Sequence, residues 1–297
     1  MALITNHYGI TSPVPFEDLD VSQDNRIFVD PHAIRLYRRP APFAADAIAS
    51  LDSFFDAVSR DAMSSSPADQ RHGLDLLQHF EEPWETRMGM AQAGFNGHGG
   101  SDDVGSWIWN ALQTDLSALL RVGILKHLEE LPLFVNGIDR DITSDITTRI
   151  TFAPLAEFTA SMVSTYPQFT AHGHRTRVVT RQVWNSTAMK WDTKQVELPL
   201  VENKPLLLVP KGWARPTLLM SAGRYYETKV LSFAQLEQAT VVDGKTLKTP
   251  KDRLKEQPGL ARGRATNTRI TLRADESGQD ILAQFRRFVK ERAVLPE

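Results

Sequence analysis

The chain has 297 residues, of which 41% are hydrophobic and 24% are charged, and its formal net charge is −2. This composition is typical of a globular protein with a large buried core, not of a disordered or fibrous chain. The chain contains no cysteine, which excludes disulfides, thiolate metal sites and cysteine nucleophiles.

The beginning of the chain lacks the basic flank and apolar run of a secretory signal peptide, and no later stretch reaches the roughly 18 apolar residues of a membrane span. We therefore expect a cytoplasmic protein with no membrane partner. Charge is unevenly distributed: residues 17–61 carry nine acidic and five basic side chains, whereas residues 245–292 carry thirteen basic and six acidic ones. The basic end is suited to phosphate but is also typical of a solvated surface.

The first predicted elements are a short strand at 25–29, which Pro31 ends, and two amphipathic helices at 44–62 and 69–80. Residues 88–106 follow, with six glycines and almost no periodicity. This pattern predicts a loop that leads into an apolar helix at 104–120.

The glycine-rich loop matches neither of the two common phosphate-binding fingerprints. Its glycines would still allow a ligand to approach the backbone closely, so Gly97, Gly99 and Gly100 are candidate cofactor-binding residues. A long structural turn is the competing interpretation. Glu85, just before the loop, is a candidate catalytic carboxylate, or else one half of a surface ion pair with Arg87.

An acidic segment follows a predicted short strand at 131–135. Asp139, Asp141 and Asp145 lie within seven positions, and carboxylates are ligands that Mg²⁺ prefers. All three are candidate metal ligands, and Asp141 and Asp145 are candidate catalytic residues. The competing interpretation places Ser144 as a helix cap, with Asp145 stabilising the helix dipole. The helix that follows should kink or split at Pro154.

Strands dominate the next part of the chain, at 176–183, 195–200 and a buried run at 205–210, with a hairpin turn at 201–204. A helix at 232–239, a strand at 268–273 and an amphipathic helix at 279–292 complete the map. The sequence thus predicts an α+β (mixed α/β) fold, with a helical N-terminal half packed on a mostly antiparallel sheet. Residues 1–170 form a mainly helical region and 171–297 a β-rich region, in one domain or two.

Several weaker patterns in the sequence are also compatible with catalysis. Asp192 with Glu202 and Lys204 matches the letters of a PD-(D/E)XK nuclease, but the second half falls in the predicted turn instead of a strand. His172 and His174 lie in a predicted loop, where a two-histidine metal site is an open alternative. The spacing of Arg121 and His127 matches some helical ribonucleases, although Gly123 weakens a helix there.

Basic residues near the end of the chain are candidates for nucleic-acid binding: Lys251, Arg253, Arg262 and Arg264. Lys211 is a further candidate catalytic residue, which would bind a phosphate near the carboxylates.

Four segments carry a resemblance to known proteins: FVDP at 28–31, EPWETRMG at 82–89, FVNGIDRDITSDITT at 134–148 and LPLVENKPLLLVPK at 198–211. Over residues 25–215 the chain resembles a set of uncharacterised bacterial proteins from mobile elements and defence islands. The resemblance implies a genomic setting, not a reaction. It also places Lys204 and Pro205 in a hairpin.

Two hypotheses follow. The first is a phage-defence protein that processes DNA or RNA as a Mg²⁺-dependent nuclease or a nuclease subunit. The second is a non-catalytic sensor or adaptor of a defence complex, which binds nucleic acid or a partner protein encoded by a neighbouring gene. Clustering of Glu85, Asp141 and Asp145 in one cleft would favour the first.

Overall fold

The computed structural model describes residues 2–80, 83–89 and 101–294, except for the side chains of residues 101–103. About 52% of the described residues are helical and 14% lie in strands, which confirms the predicted mixed α+β class. None of the helices in these ranges is both long and apolar enough to cross a lipid bilayer. The α-helices are α1 (Ile4–Tyr8), α2 (Pro31–Tyr37), α3 (Phe43–Met63), α4 (Pro67–Leu77), α5 (Ser101–Gln113), α6 (Ser117–Arg121), α7 (Leu131–Phe134), α8 (Arg140–Ile150), α9 (Phe152–Thr165), α10 (Ala222–Tyr225), α11 (Leu231–Glu237), α12 (Lys251–Lys255), α13 (Arg264–Glu276) and α14 (Ile281–Arg292).

The named strands pair antiparallel, and the largest unit is a long hairpin. The strands are β1 (Phe28–Val29), β2 (Thr176–Asn185), β3 (Lys190–Val201), β4 (Lys204–Pro205), β5 (Ala214–Arg215), β6 (Thr240–Val242) and β7 (Lys245–Leu247). Strands β2 and β3 form the long hairpin, β4 adds to β3, β1 pairs with β5, and β6 pairs with β7. The turn between β3 and β4 places Glu202 and Asn203 at φ 49° and 63°, the conformation that two-residue hairpin turns favour.

The hairpin of β2 and β3 packs against the N-terminal helices, as expected. Two indole N–H groups fix it there: Trp184 donates to the Ser53 hydroxyl at 2.9 Å and Trp191 to the Leu76 carbonyl at 3.0 Å. Both indoles are thereby satisfied while their rings pack around Phe54, which is fully buried. Polar tips that find partners are what allow tryptophan into a core.

Two clusters of buried side chains form the core, and α3 contributes to both. Ala44 and Ala47 belong to the cluster around α9 and the long hairpin, whereas Phe54 belongs to the cluster that also contains Phe285 of α14. Each cluster therefore draws on residues before and after position 170. The division into 1–170 and 171–297 stays a prediction.

The region after Ala222 is mainly helical, and the strand predicted at 268–273 is wrong. These residues lie in α13, where Ile270 and Ala274 are fully buried at helical spacing. The threonines that suggested a strand are accommodated because their hydroxyls donate to carbonyls one turn earlier, as from Thr271 to Asn267 at 2.6 Å. Side chains of this type bond locally to the helix backbone.

The strand predicted at 131–135 is also wrong, because Leu131–Phe134 forms α7. Pro132 lies in its first turn, where a missing N–H costs nothing. The run at 205–210 is buried as predicted, with Leu206 to Val209 at most 2% exposed. The strand ladder itself ends at Pro205, and Leu207 donates to the Glu85 carbonyl at 2.9 Å.

Candidate functional site

The first turn of α8 lies at the centre of the candidate site. Asp139 is its N-cap: the backbone is extended and the carboxylate accepts hydrogen bonds from the amides of Asp141 (3.1 Å) and Ile142 (3.4 Å). The helix therefore begins at Arg140, and the prediction that Ser144 caps it is wrong. Ser144 lies inside the helix, where its hydroxyl accepts from the Val29 amide of β1 at 2.9 Å. This bond ties α8 to β1.

Asp141 and Asp145 are one helical turn apart and are both half-buried. Residues at this spacing lie on the same face of a helix. Asp141 is in the first turn, where a carboxylate complements the helix dipole. Asp145 is in the second turn, beyond the range in which that effect is strong. The dipole interpretation of Asp145 therefore loses its main support.

Both described ends of the glycine-rich loop reach the start of α8. A Cβ on Gly89 would lie 3.4 Å from the Asp141 Oδ1, and a Cβ on Gly137 would lie 1.6 Å from the Trp107 ring. The loop leaves the described residues at Gly89, and α5 with Trp107 follows it. The residues that flank the loop therefore lie close to the acidic segment. Gly97, Gly99 and Gly100 lie outside the described residues, so their role stays a prediction.

Glu85 has a different environment from the one expected. It is fully buried, and its Oε1 accepts from the Arg181 Nε of β2 at 2.6 Å, while its Oε2 has no partner among the described residues. The predicted ion pair with Arg87 is not formed; that guanidinium lies over the Trp84 ring, 5.6 Å from its centroid. A buried carboxylate needs a paired cation, and Arg181 supplies it for Glu85. Glu85 thereby anchors residues 83–89 to the long hairpin.

Asn25 was not singled out from the sequence, yet it holds the other side of this segment. The Asn25 backbone amide donates to the Arg87 carbonyl at 2.8 Å, and its side-chain Nδ2 donates to the same carbonyl at 2.9 Å. The Asn25 backbone carbonyl accepts from the Gly89 amide at 3.0 Å. These bonds fix the backbone just where it reaches Asp141. A single asparagine in a polar stretch gives no sequence signal for such a role.

Within the described ranges, no three His, Cys, Asp or Glu side chains lie close enough together to hold a metal ion. Asp139, Asp141 and Asp145 form no such group, and their role as Mg²⁺ ligands stays a prediction. The pair Asp141 and Asp145 keeps the donor chemistry that Mg²⁺ favours, since this ion is often held by one or two carboxylates together with waters and substrate phosphates.

The predicted basic residues have separate roles. Lys251 is engaged internally, with Nζ donating to the Glu227 carbonyl (2.6 Å) and the Ser232 hydroxyl (2.8 Å). Arg264 donates to the Pro132 carbonyl at 3.2 Å, and the Arg262 guanidinium lies across Gly223. Arg253 is exposed. Their nucleic-acid role stays a prediction.

Lys211 is exposed and follows the buried run. Its amide donates to the Pro15 carbonyl at 3.0 Å, which places it beside the N-terminal segment. Burial raises the pKa of nearby Glu17, and the Gly212 amide and the Lys211 charge oppose that rise. Its part in catalysis is untested.

The weaker patterns are explained by structure. Asp192 in β3 is paired with Lys190 at 3.1 Å, and Glu202 lies in the predicted hairpin turn, two residues before Lys204 of β4. The His174 ring packs at a tilt against Tyr8, with ring centroids 4.7 Å apart. His127 lies 3.5 Å from Asp52 of α3.

A protein-family model covers most of the elements that form the candidate site. Residues 11–221 match the model described as domain of unknown function DUF8370, well over half of the chain. The chain belongs to the DUF8370 family. Searches among curated proteins and among solved structures gave no match. The matched range contains α8, the Glu85 segment and the long hairpin, crosses residue 170, and ends one residue before α10.

Sequence reasoning also missed a buried charged network that joins α2 to α3. Glu129 accepts from the Arg35 Nε at 2.6 Å and lies 3.3 Å from the His32 Nδ1, and Arg35 also contacts Asp52 at 2.7 Å. Burial alone would raise the pKa of Glu129, but the hydrogen bond to His32 and the charge of Arg35 outweigh it, so its pKa lies well below the ordinary value.

Asp30 closes the same region. Its carboxylate caps α2 through the amides of His32 (2.9 Å) and Ala33 (3.3 Å), and it also accepts from the Leu219 amide at 2.7 Å. Burial raises the pKa of Asp30, although these three amides oppose the rise. The strand end noticed in the sequence is therefore a structural junction between α2 and the segment that follows β5.

Proposed function

We propose that this chain is a nucleic-acid-processing protein of bacterial phage defence, encoded within mobile elements or defence islands and acting in the cytoplasm as a Mg²⁺-dependent nuclease or nuclease subunit. The observation that supports it is the meeting of two features at one point: Gly89 and Trp107, which flank the glycine-rich loop, both contact the turn that starts α8. The carboxylates of Asp141 and Asp145 lie on the helix that begins there.

Asp141 and Asp145 would hold the ion between them. A bound Mg²⁺ supplies charge to a phosphodiester and promotes attack by water. The chain's own part is to present both carboxylates from one rigid helix face, with the helix start fixed by the Asp139 cap and by the bond between Ser144 and β1. Such rigidity keeps catalytic groups at a productive separation.

The test is a cleavage assay. Purified protein, alone and with the product of the neighbouring gene, is incubated with single-stranded DNA, duplex DNA and RNA in Mg²⁺ and then in EDTA. We expect cleavage in Mg²⁺ only, which Asp145→Asn abolishes while leaving the thermal midpoint nearly unchanged. The matched control is Asp56→Asn, the same change at an exposed position on α3, which should cleave like the parent.

Cleavage that persists in Asp145→Asn would show that the protein is a nuclease whose active site does not include Asp145. Complete inertness with and without the neighbouring gene product would overturn the nuclease.

A second candidate function is the adaptor, and one observation favours it. In the hairpin of β6 and β7 every residue is exposed, including Val241 (71%), Val242 (49%) and Leu247 (53%). An exposed strand pair with apolar side chains is typical of a surface that another protein covers. If the adaptor is correct, Val241→Asp should abolish copurification with the neighbouring gene product, whereas Asp145→Asn should not.

A further inference from the structure

A groove separates α5 from α13 and opens beside the start of α8. Its volume is about 630 Å³, within the range of pockets that hold small ligands or single nucleotides. Polar and aromatic side chains predominate among the residues that define it: Trp107, Asn110, Asn136, Arg269, Arg273 and Glu276.

Helical spacing explains how the two walls arise. Trp107 and Asn110 are three residues apart on α5, and Arg269 and Arg273 are four apart on α13, so each pair lies on one face of its helix. The Trp107 ring packs against Gly137, yet 41% of the residue is exposed. An indole held on one side and open on the other is a ready platform for stacking.

The charge of the α13 wall is positive over most of its length. Residues 264–274 of α13 contain three arginines and no acidic side chain. Arg269 is exposed and donates to the Gly259 carbonyl, whereas Arg273 is paired with Glu237 at 2.5 Å. Arg269 is therefore the cation with the greater capacity to meet a ligand phosphate.

One end of the groove lies close to the proposed active site. Asn267, near the start of α13, donates to the Leu133 carbonyl at 2.8 Å, so the N-terminal half of α13 lies beside the turn that leads to Asp139. The acidic residues Asp115 and Glu276 lie at the C-terminal ends of α5 and α13. The end of the groove at Asn136 is thus three residues from the α8 cap.

We propose that this groove binds single-stranded nucleic acid, with one unpaired base stacked on Trp107 and the adjoining phosphate on Arg269. Asn110 and Asn136 are positioned to hydrogen-bond the base edge, and the strand continues from Asn136 toward Asp141 and Asp145. The substrate assignment rests on the proposed nuclease function, because it names the form of nucleic acid that reaches that site. Stacking on an aromatic ring requires a base free of its partner strand, which favours single strands over duplex.

The test measures binding apart from cleavage. Fluorescence anisotropy in EDTA, with labelled single-stranded DNA, single-stranded RNA and duplex DNA of equal length, gives a Kd for the full chain. We expect tighter binding to single strands, a Kd raised about tenfold or more by Trp107→Ala, and recovery of most of that loss in Trp107→Phe. Arg269→Gln should also weaken binding and lower the salt dependence by about one phosphate contact. Arg287→Gln, an exposed arginine on α14, is the matched control and should bind like the parent.

Preference for duplex, or equal binding by the parent and a folded Trp107→Ala, would overturn the groove. If binding depends on Trp107 but no Mg²⁺-dependent cleavage is found, the groove is confirmed as a binding site and the nuclease proposal is wrong. If cleavage depends on Asp145 but binding is unaffected by Trp107→Ala, the nuclease proposal is confirmed and the groove proposal is wrong.

Discussion

The indole of Trp107 occupies the space that any side chain at Gly137 would need, with a ring carbon 1.6 Å from the position of a Cβ. Gly137 also has φ 79°, a left-handed conformation that costs other residues about 1–2 kcal/mol. This contact joins the helix after the glycine-rich loop to the turn before α8.

Gly137→Ala should therefore be strongly destabilising. We expect a loss of about 2–4 kcal/mol in the free energy of unfolding, since backbone strain adds to the overpacking of Trp107. Urea denaturation measures it. Gly123→Ala is the control, because Gly123 has φ 69° but no atom within 4 Å of its Cβ position. A loss of equal size at both glycines would show that the Trp107 contact contributes nothing.

Removing the N-cap of α8 should lower the stability of the protein. Asp139→Ala is expected to lower the free energy of unfolding by about 0.5–2 kcal/mol, because two amides lose their acceptor. Asp139→Asn should retain nearly all of it, since asparagine is an equally good cap. Thermal unfolding of the two variants provides the comparison, and similar losses in both would contradict the capping role.

The buried pair of Glu85 and Arg181 makes a third prediction. Arg181→Gln leaves a fully buried carboxylate without its cation and should cost about 3–5 kcal/mol. Lys194→Gln breaks a pair with Glu157 whose side chains are about half exposed, 47% and 51%, and should cost less than about 1 kcal/mol. Chemical denaturation of both variants at one pH tests the contrast, and a small effect at Arg181 would mean that Glu85 is not held as described.

The network around Glu129 predicts a pH-dependent stability. The pKa of Glu129 is lowered in the folded chain, so its stabilisation is present above the pKa of the unfolded carboxyl, roughly 4.3, and is lost as the pH falls below that value. Glu129→Gln should cost about 3 kcal/mol at pH 7. The gap between parent and variant should narrow steadily below about pH 4.3. Taking the difference between their free energies of unfolding removes the opposite contribution of Asp30, whose pKa burial raises. A gap that does not change with pH would rule out the charged pair.

Much of the fold could be read from local pattern. The helices α3 and α14 and the turn between β3 and β4 follow from apolar spacing and turn residues that act within a few positions. The separation of α8 from α9 near Pro154 was likewise predictable, because proline cannot continue a helix interior. These features depend on the chain's own neighbours along the sequence.

Other features needed the tertiary structure. The run at 268–273 alternates like a strand, and only its burial against α10 and α14 makes it a helix, since packing overrides weak local preference. The acidic segment was visible in the sequence, but its position was not: Val29, Gly89 and Trp107 lie against it or the turn before it, from three distant parts of the chain. Long-range contacts of this kind leave no periodic signal. The composition limited metal ligands to carboxylates, histidines and backbone oxygens. The packing of these distant segments decided which carboxylates share a surface with the groove.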